Sequence, residues 1–201
     1  MKKFPLVISF YTENTPYQVE AERLIASCKK FSLRSIIEGV PSFGSWELNC
    51  AYKPFFIHEK LLQVKEPVLW VDADGVFLKR PEFIEAFEAD LAVRIESEVD
   101  KDHPSKVISS TIFVDYNPKA IELIKSWGRL SAETLLDPQR KWEFWDQISL
   151  RDAIYLNPSA LEVVSMPLSY AKIFDHPDDV SKSIDAVIEH YQASRILKKM
   201  I

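Results

Sequence analysis

Asp72 and Asp74 stand two positions apart, directly after the apolar run Val68-Leu69-Trp70-Val71, and Gly75 follows them. A short apolar run bounded by Pro67 reads as a buried strand. The two carboxylates therefore leave its carboxyl end, where open α/β sheets take their ligands. Side chains alternate along an extended chain, so the i, i+2 spacing lets both acids point the same way. Neighbouring carboxylates repel each other unless a cation lies between them. Hard oxygen ligands suit Mg²⁺ or Mn²⁺, and such an ion usually completes its shell with water and substrate phosphate. The chemistry this pair suggests is metal-assisted handling of a phosphorylated ligand. An acidic turn with Asp74-Gly75 at its corner is the plain alternative, and it leaves the apolar run before the pair unexplained.

A second group of chemistry-bearing residues lies near the C-terminus. His190 follows the apolar run Ala186-Val187-Ile188, and Arg195 and Lys198 come after it. A neutral imidazole can ligate a metal, and Arg or Lys can balance phosphate charge. If the chain is helical from Ala193, Arg195 and Lys198 share a face. A solvated basic helix, with His190 merely packed at a strand end, is the alternative. His103 and His176 sit in Asp/Pro-rich stretches and read as surface residues, and His58 reads as structural within a helix.

These residues need a scaffold. Leu6 to Tyr11 reads as a buried first strand, and Pro16 suits the first position of a helix whose Ala21, Leu24, Ile25 and Cys28 form one apolar face. A short strand at Ser35-Ile36-Ile37 follows. This strand–helix–strand opening predicts a mostly parallel α/β sheet with helices on its faces. Pro41 to Ser45 reads as a loop and Pro54 to Val64 as a helix. Val107 to Val114 is a further strand, and Asn117-Pro118 starts a helix with Ile121, Ile124 and Trp127 on one face. Trp142 to Leu156 reads as helical and Ala186 to His190 as a late strand. There is no internal repeat, coiled coil or low-complexity stretch.

Composition narrows the class. At 201 residues, 47% hydrophobic and 27% charged, the chain is expected to form one domain spanning 1–201 with a real core. A net charge of −5 argues against a general nucleic-acid binder, which needs a basic footprint. Cys28 and Cys50 make no disulfide framework, and Cys28 falls on an apolar helix face as a buried thiol. The apolar run ending at Tyr11 is too short for a membrane span and precedes no small-residue cleavage site. The cytoplasm is therefore the expected location. The tail Lys198-Lys199-Met200-Ile201 leaves peripheral membrane contact open.

Asp-Ala-Asp-Gly-Val at 72–76 resembles the first motif of haloacid-dehalogenase-type phosphatases. That resemblance implies a Mg²⁺-dependent phosphatase with Asp72 as nucleophile, with Ser109 to Thr111, a later lysine and Asp178-Asp179 as its other parts. The context differs. In that family the motif follows the first strand, whereas the whole stretch from Leu6 to Val71 precedes it here, and Asp178-Asp179 reads as a polar loop.

Val71-Asp72-Ala73-Asp74-Gly75-Val76-Phe77-Leu78, followed by Lys79-Arg80-Pro81, resembles the DxD region of GT-A nucleotide-diphospho-sugar transferases. Ser45-Trp46 through Lys53-Pro54-Phe55-Phe56-Ile57 resembles the segment before it. Ser110-Thr111-Ile112-Phe113-Val114 resembles the mid-chain strand, and Trp145-Asp146-Gln147 the "DQ" helix start near the sugar. The resemblance implies a GT-A-like, Rossmann-like mostly parallel sheet flanked by helices, with a small antiparallel addition. It implies a donor linked to UDP or GDP, Mn²⁺ or Mg²⁺ on Asp72, Asp74 and His190, and a saccharide, lipid-linked or protein acceptor. Tyr11 and Thr12, at the first strand end, would receive the base and ribose. Lys53, Asp72, Ser110, Arg195 and Lys198 would complete the donor site, and Asp146 and Gln147 would lie nearest the reacting carbon, with retention favoured over inversion. This chain has no Gly and Lys-Pro after its late His. A GT-A-like module that binds nucleotide-sugar without turnover is the non-enzymatic alternative.

Overall fold

The computed structural model describes residues 4–82, 88–156, 161–182 and 185–198. Strand β1 (Leu6–Thr12), helix α1 (Tyr17–Lys30) and strand β2 (Ser35–Val40) form the opening unit, with β1 and β2 parallel. Pro16 precedes α1 at φ −59°, already helical, and Lys29 and Lys30 sit at the negative end of the helix dipole. Helices α2 (Trp46–Ala51) and α3 (Lys53–Val64) follow, and β3 (Val68–Val71) then pairs with β1 in parallel on its other side. Next come β4 (Gly75–Phe77), β5 (Leu91–Ile95), β6 (Val107–Val114), α4 (Pro118–Leu136) and α5 (Asp146–Leu156). The chain continues through β7 (Val163–Ser165), β8 (Lys172–Ile173), α6 (Pro177–Lys182), β9 (Ile188–His190) and α7 (Ser194–Leu197).

The main sheet has the order β2-β1-β3-β6-β5-β7, and β6 alone runs against the other five strands. The expected mostly parallel α/β architecture is present. A second sheet, β4-β9-β8, is mixed rather than purely antiparallel, since β8 runs parallel to β9.

Strand alternation divides the core. Leu6, Ile8, Val68 and Trp70 face Phe56, Ile57 and Leu61 of α3 and Leu123, Ile124 and Trp127 of α4. Val7, Leu69 and Val71 face the other way, with Leu24 and Cys28 of α1, Phe77 and Ile188. Burial of both faces explains why β1 and β3 read as continuous apolar runs instead of alternating ones. The Asn117 side chain accepts the Ala120 N–H at 3.0 Å and caps α4 as expected, but the buried face centres on Ala120, Leu123, Ile124 and Trp127, leaving Ile121 half-buried.

Several elements differ from the sequence expectation. Helix α5 starts at Asp146 instead of Trp142, and the Phe144 N–H ahead of it is taken by the Glu47 carboxylate. Residues 178 and 179 belong to helix α6, not a loop, and Asp179 is fully buried. Arg94, inside β5, donates from Nη1 and Nη2 to Asp179 at 2.7 Å each and from Nη1 to the Ala171 carbonyl at 2.8 Å. Burial opposes both charges, but the pairing holds the Asp179 carboxyl below its ordinary range and the Arg94 guanidinium above its own. This pair ties α6 and β8 to the main sheet. Among the described residues no helix is long and apolar enough to cross a membrane. Lys199, Met200 and Ile201 of the basic-apolar tail lie outside the described residues.

Candidate active site

From β1 the chain crosses to β2 on one side and returns to β3 on the other, so the sheet order reverses between β1 and β3. Such switch points open a crevice at the carboxyl edge. A cavity of about 480 Å³ lies there, lined from β1 by Phe10, Tyr11 and Thr12 and from the end of β3 by Asp72, Ala73 and Asp74. Lys53, Ser109, Ser110, Asp146, Gln147, Arg195 and Lys198 line it as well. Every donor-site and catalytic residue expected from the sequence therefore borders one cavity. Of the expected metal ligands, Asp72 and Asp74 border it, and His190 lies behind Asp74.

The two aspartates diverge. The chain leaves the extended conformation at Asp72, and the Gly75 N–H closes a turn on the Asp72 carbonyl at 2.8 Å. Alternation therefore stops applying where the sequence reading relied on it. Asp72 Oδ1 accepts from Trp70 Nε1 at 2.8 Å and pairs with Lys53 Nζ at 2.8 Å. The same ammonium meets Asp146 Oδ2 at 2.7 Å, and the Ser109 hydroxyl donates to that oxygen at 2.9 Å. Burial would push the Lys53 ammonium down, but Asp146 and Asp72 hold it above the usual lysine range. The Asp72 carboxyl is pushed up by burial against the pull of Lys53, with Asp74 and Asp146 adding to the rise.

Asp74 turns toward the second sheet. Its Oδ2 accepts the Ala193 N–H at 2.8 Å, and its Oδ1 lies 3.5 Å from His190 Nδ1. Burial acts to raise the Asp74 carboxyl, but the His190 ring and the Ala193 N–H bring it below the ordinary value. His190 is wholly buried, with Nε2 2.8 Å from the Thr111 hydroxyl and Nδ1 without a hydrogen-bond partner. Strand β9 reaches this position because Gly75 faces it. A methyl group there would come within 2.5 Å of Val71 Cγ1 and 2.9 Å of His190 Cε1. Among the described residues no three His, Cys, Asp or Glu side chains converge as they stand on a point that would hold a metal ion.

The cations reach the cavity already paired. Arg195 binds Asp175, and Lys198 Nζ lies 2.8 and 3.0 Å from the two oxygens of Glu143. Gln147 Nε2 donates to the Pro104 carbonyl at 2.8 Å, and the Thr12 hydroxyl lies 2.9 Å from that of Thr15. Ser110 Oγ is buried without a partner. His103 is exposed and His58 half-buried, as expected, while His176 is half-buried with Nδ1 3.6 Å from Asp179. The phosphatase constellation does not assemble, since Asp179 is held by Arg94 and is not a wall residue of the cavity.

Sequence reasoning missed Tyr17, Trp46, Asn49, Cys50, Glu143 and Trp145 as cavity residues. Tyr17 is the most informative of them. Its hydroxyl is buried without a partner, and burial, Cys50 and Asp74 raise it above the ordinary tyrosine range. Only the repeated aromatics of the Trp46 and Trp145 segments could have signalled this wall.

No protein-family model and no curated protein sequence matches the chain. Solved structures do match. One is a glycosyltransferase involved in the glycosylation of the major capsid of PBCV-1, with a TM-score of 0.64 and 14% identity over 94% of this chain and 93% of that one. Another is the glycosyltransferase GlyE in Streptococcus pneumoniae TIGR4, with a TM-score of 0.60 and 14% identity over 93% of this chain and 54% of that one. The chain spans about half of the GlyE chain and nearly all of the other, and it shares the fold of both.

Proposed function

We propose that the chain is a glycosyltransferase that moves a sugar from a UDP- or GDP-linked donor to an acceptor hydroxyl, with Mn²⁺ or Mg²⁺ assisting. The observation that carries this reading is the Asp72–Lys53–Asp146 network on the wall of a 480 Å³ cavity at the switch point, in a fold shared with solved glycosyltransferases. The volume suits a nucleotide-sized ligand. Tyr11 and Thr12 stand where the base and ribose would enter beside β1, and Ser110 offers the donor an unpartnered hydroxyl.

Departure of a nucleotide diphosphate develops negative charge, and stabilising that charge is the main electrostatic task. Arg195 and Lys198 border the cavity and can exchange Asp175 and Glu143 for phosphate oxygens. A divalent cation would be held by Asp72 and Asp74, which border the cavity but diverge as they stand, so its binding needs Asp74 to turn from the Ala193 N–H. Asp72 has one oxygen beyond the Oδ1 that Trp70 and Lys53 share, whereas His190 is wholly buried behind Asp74. Two carboxylates, with phosphate completing the shell, are a usual arrangement for Mg²⁺. When bound, such an ion supplies Lewis-acid stabilisation of the leaving diphosphate. Asp146 Oδ2 accepts from Lys53 and Ser109, which fixes the carboxylate beside the reacting carbon to balance charge there, and an oxygen of the departing diphosphate takes the acceptor proton. That role accords with retention at the sugar carbon, with Gln147 beside it.

Thermal denaturation with UDP or GDP, each with Mn²⁺ or Mg²⁺, tests donor binding. The expected result is a rise in melting temperature that Asp74→Ala abolishes. No shift with any of the four combinations sinks the donor-site reading. Incubation with UDP- and GDP-sugars and acceptor saccharides tests turnover, and binding without nucleotide release would make the chain a non-catalytic module.

A further inference from the structure

The sheet order separates the two ends of the cavity. Tyr11 and Thr12 leave β1 on one side of Asp72, while Ile108 and Ser109 of β6, with Trp145, Asp146 and Gln147 at the start of α5, lie on the other. A donor seated across the switch point places its base beside β1 and its reacting carbon beside the Asp72–Lys53–Asp146 network. The end beyond Asp146 is left for the acceptor.

That end is built around an indole. Trp145 lines the cavity and is 40% exposed. Its ring is oriented by Glu143, whose Oε2 accepts from Nε1 at 3.1 Å. The Lys198 ammonium lies 5.1 Å from the ring centroid of Trp46, a second indole on the cavity wall. With its N–H satisfied, Trp145 has only its apolar, electron-rich face left to offer a ligand. A pyranose ring matches such a face: one side presents C–H bonds polarised positive, and its hydroxyls point outward from the rim. Gln147 and Ser105, at the same end, supply polar partners for those hydroxyls. An isolated side-chain hydroxyl of a protein acceptor has no comparable face.

We infer that Trp145 is an acceptor-binding platform and that the acceptor is a saccharide whose pyranose ring stacks on the indole. The inference rests on the glycosyl-transfer reading of this site. Glu143 serves as a positioning residue that sets the ring's orientation.

Saturation-transfer NMR titrations with lactose, maltose and methyl β-D-glucopyranoside, with and without UDP or GDP, test it. At least one of these saccharides binds the wild-type chain, Trp145→Ala weakens that binding about tenfold, and Trp145→Phe weakens it only about threefold. Trp142→Ala, at a 63% exposed indole that is not a wall residue of the cavity, leaves it unchanged. The nucleotide-dependent melting shift persists in Trp145→Ala. The inference is overturned if none of the three saccharides binds, or if Trp145→Ala binds them as the wild type does. It is equally overturned if Trp145→Ala loses the nucleotide shift and keeps saccharide binding, which would make the indole part of the donor site. A wild-type chain that shows no nucleotide shift but binds saccharide through Trp145 refutes the donor reading and leaves the platform standing.

Discussion

Lys53→Met deletes the ammonium shared by Asp72 and Asp146 and keeps most of the side-chain volume at the start of α3. Lys53 is 7% exposed in its side chain, Asp146 12% and Asp72 33%. Removing one partner of a buried pair costs roughly 3–5 kcal/mol, because the other charge is left uncompensated. Asp146 meets that condition. Asp72 is a third exposed and keeps its Trp70 bond, so its share is small. The Ser109 hydroxyl still serves Asp146 in the variant. These terms place the loss near the lower bound, about 3 kcal/mol, which lowers the melting temperature of a domain this size by about 6–12 °C. Urea denaturation at neutral pH measures it. Adding Asp146→Asn removes the stranded charge and recovers about half of the deficit. The reasoning is refuted if Lys53→Met stays within about 1 kcal/mol of wild type, which would mean that water in the cavity already solvates both carboxylates. A purely additive Asp146→Asn would refute it too.

Asp179→Asn leaves Arg94 with Glu96 as its ionic partner and removes two charge-assisted hydrogen bonds, which costs about 2 kcal/mol at neutral pH. Because the folded-state carboxyl is depressed, its contribution is fully present above the unfolded value of about 3.9 and is lost as pH falls through the folded value. Urea midpoints of wild type and variant therefore converge below about pH 4, and a gap that stays constant from neutral to acid contradicts the pairing. Gly75→Ala forces a methyl against Val71 and His190 at 2.5 and 2.9 Å. It lowers unfolding free energy by about 1–3 kcal/mol in the same assay, whereas a neutral result would show that β4 and β9 separate easily.

Sequence periodicity revealed the elements whose burial is uniform. Both faces of β1 and β3 are covered, so each reads as an unbroken apolar run, and the Asn117-Pro118 cap marks α4 from chemistry confined to four residues. Strand β5 was not legible, because Arg94 interrupts its apolar run and the buried partner that helps make a charge tolerable there, Asp179, is distant in sequence. Helix α6 failed for the same reason: two adjacent aspartates beside a proline look like a solvated loop until one of them finds that guanidinium. The segment before α5 is tied to Glu47, far away in the chain, a contact that no local pattern announces.

The site was legible as a set of residues and illegible as an arrangement. A lysine near the start of a helix reads as surface, since lysine is almost never fully buried unless paired, and nothing local announces that Asp72 and Asp146 will pair with Lys53. Asp72 and Asp74 look equivalent in sequence, yet they end in opposite electrostatic states. One is raised by burial and by its acidic neighbours, and the other is lowered by His190 and a backbone N–H. The turn that Gly75 closes produces the difference, because it sends one carboxylate toward α3 and α5 and the other toward β9. The pair is therefore not two copies of one ligand. Asp74 is the carboxylate kept ionised by the second sheet, while Asp72 links the cavity to the Lys53 network, and a ligand charge placed near Asp72 acts on Asp146 through the ammonium they share.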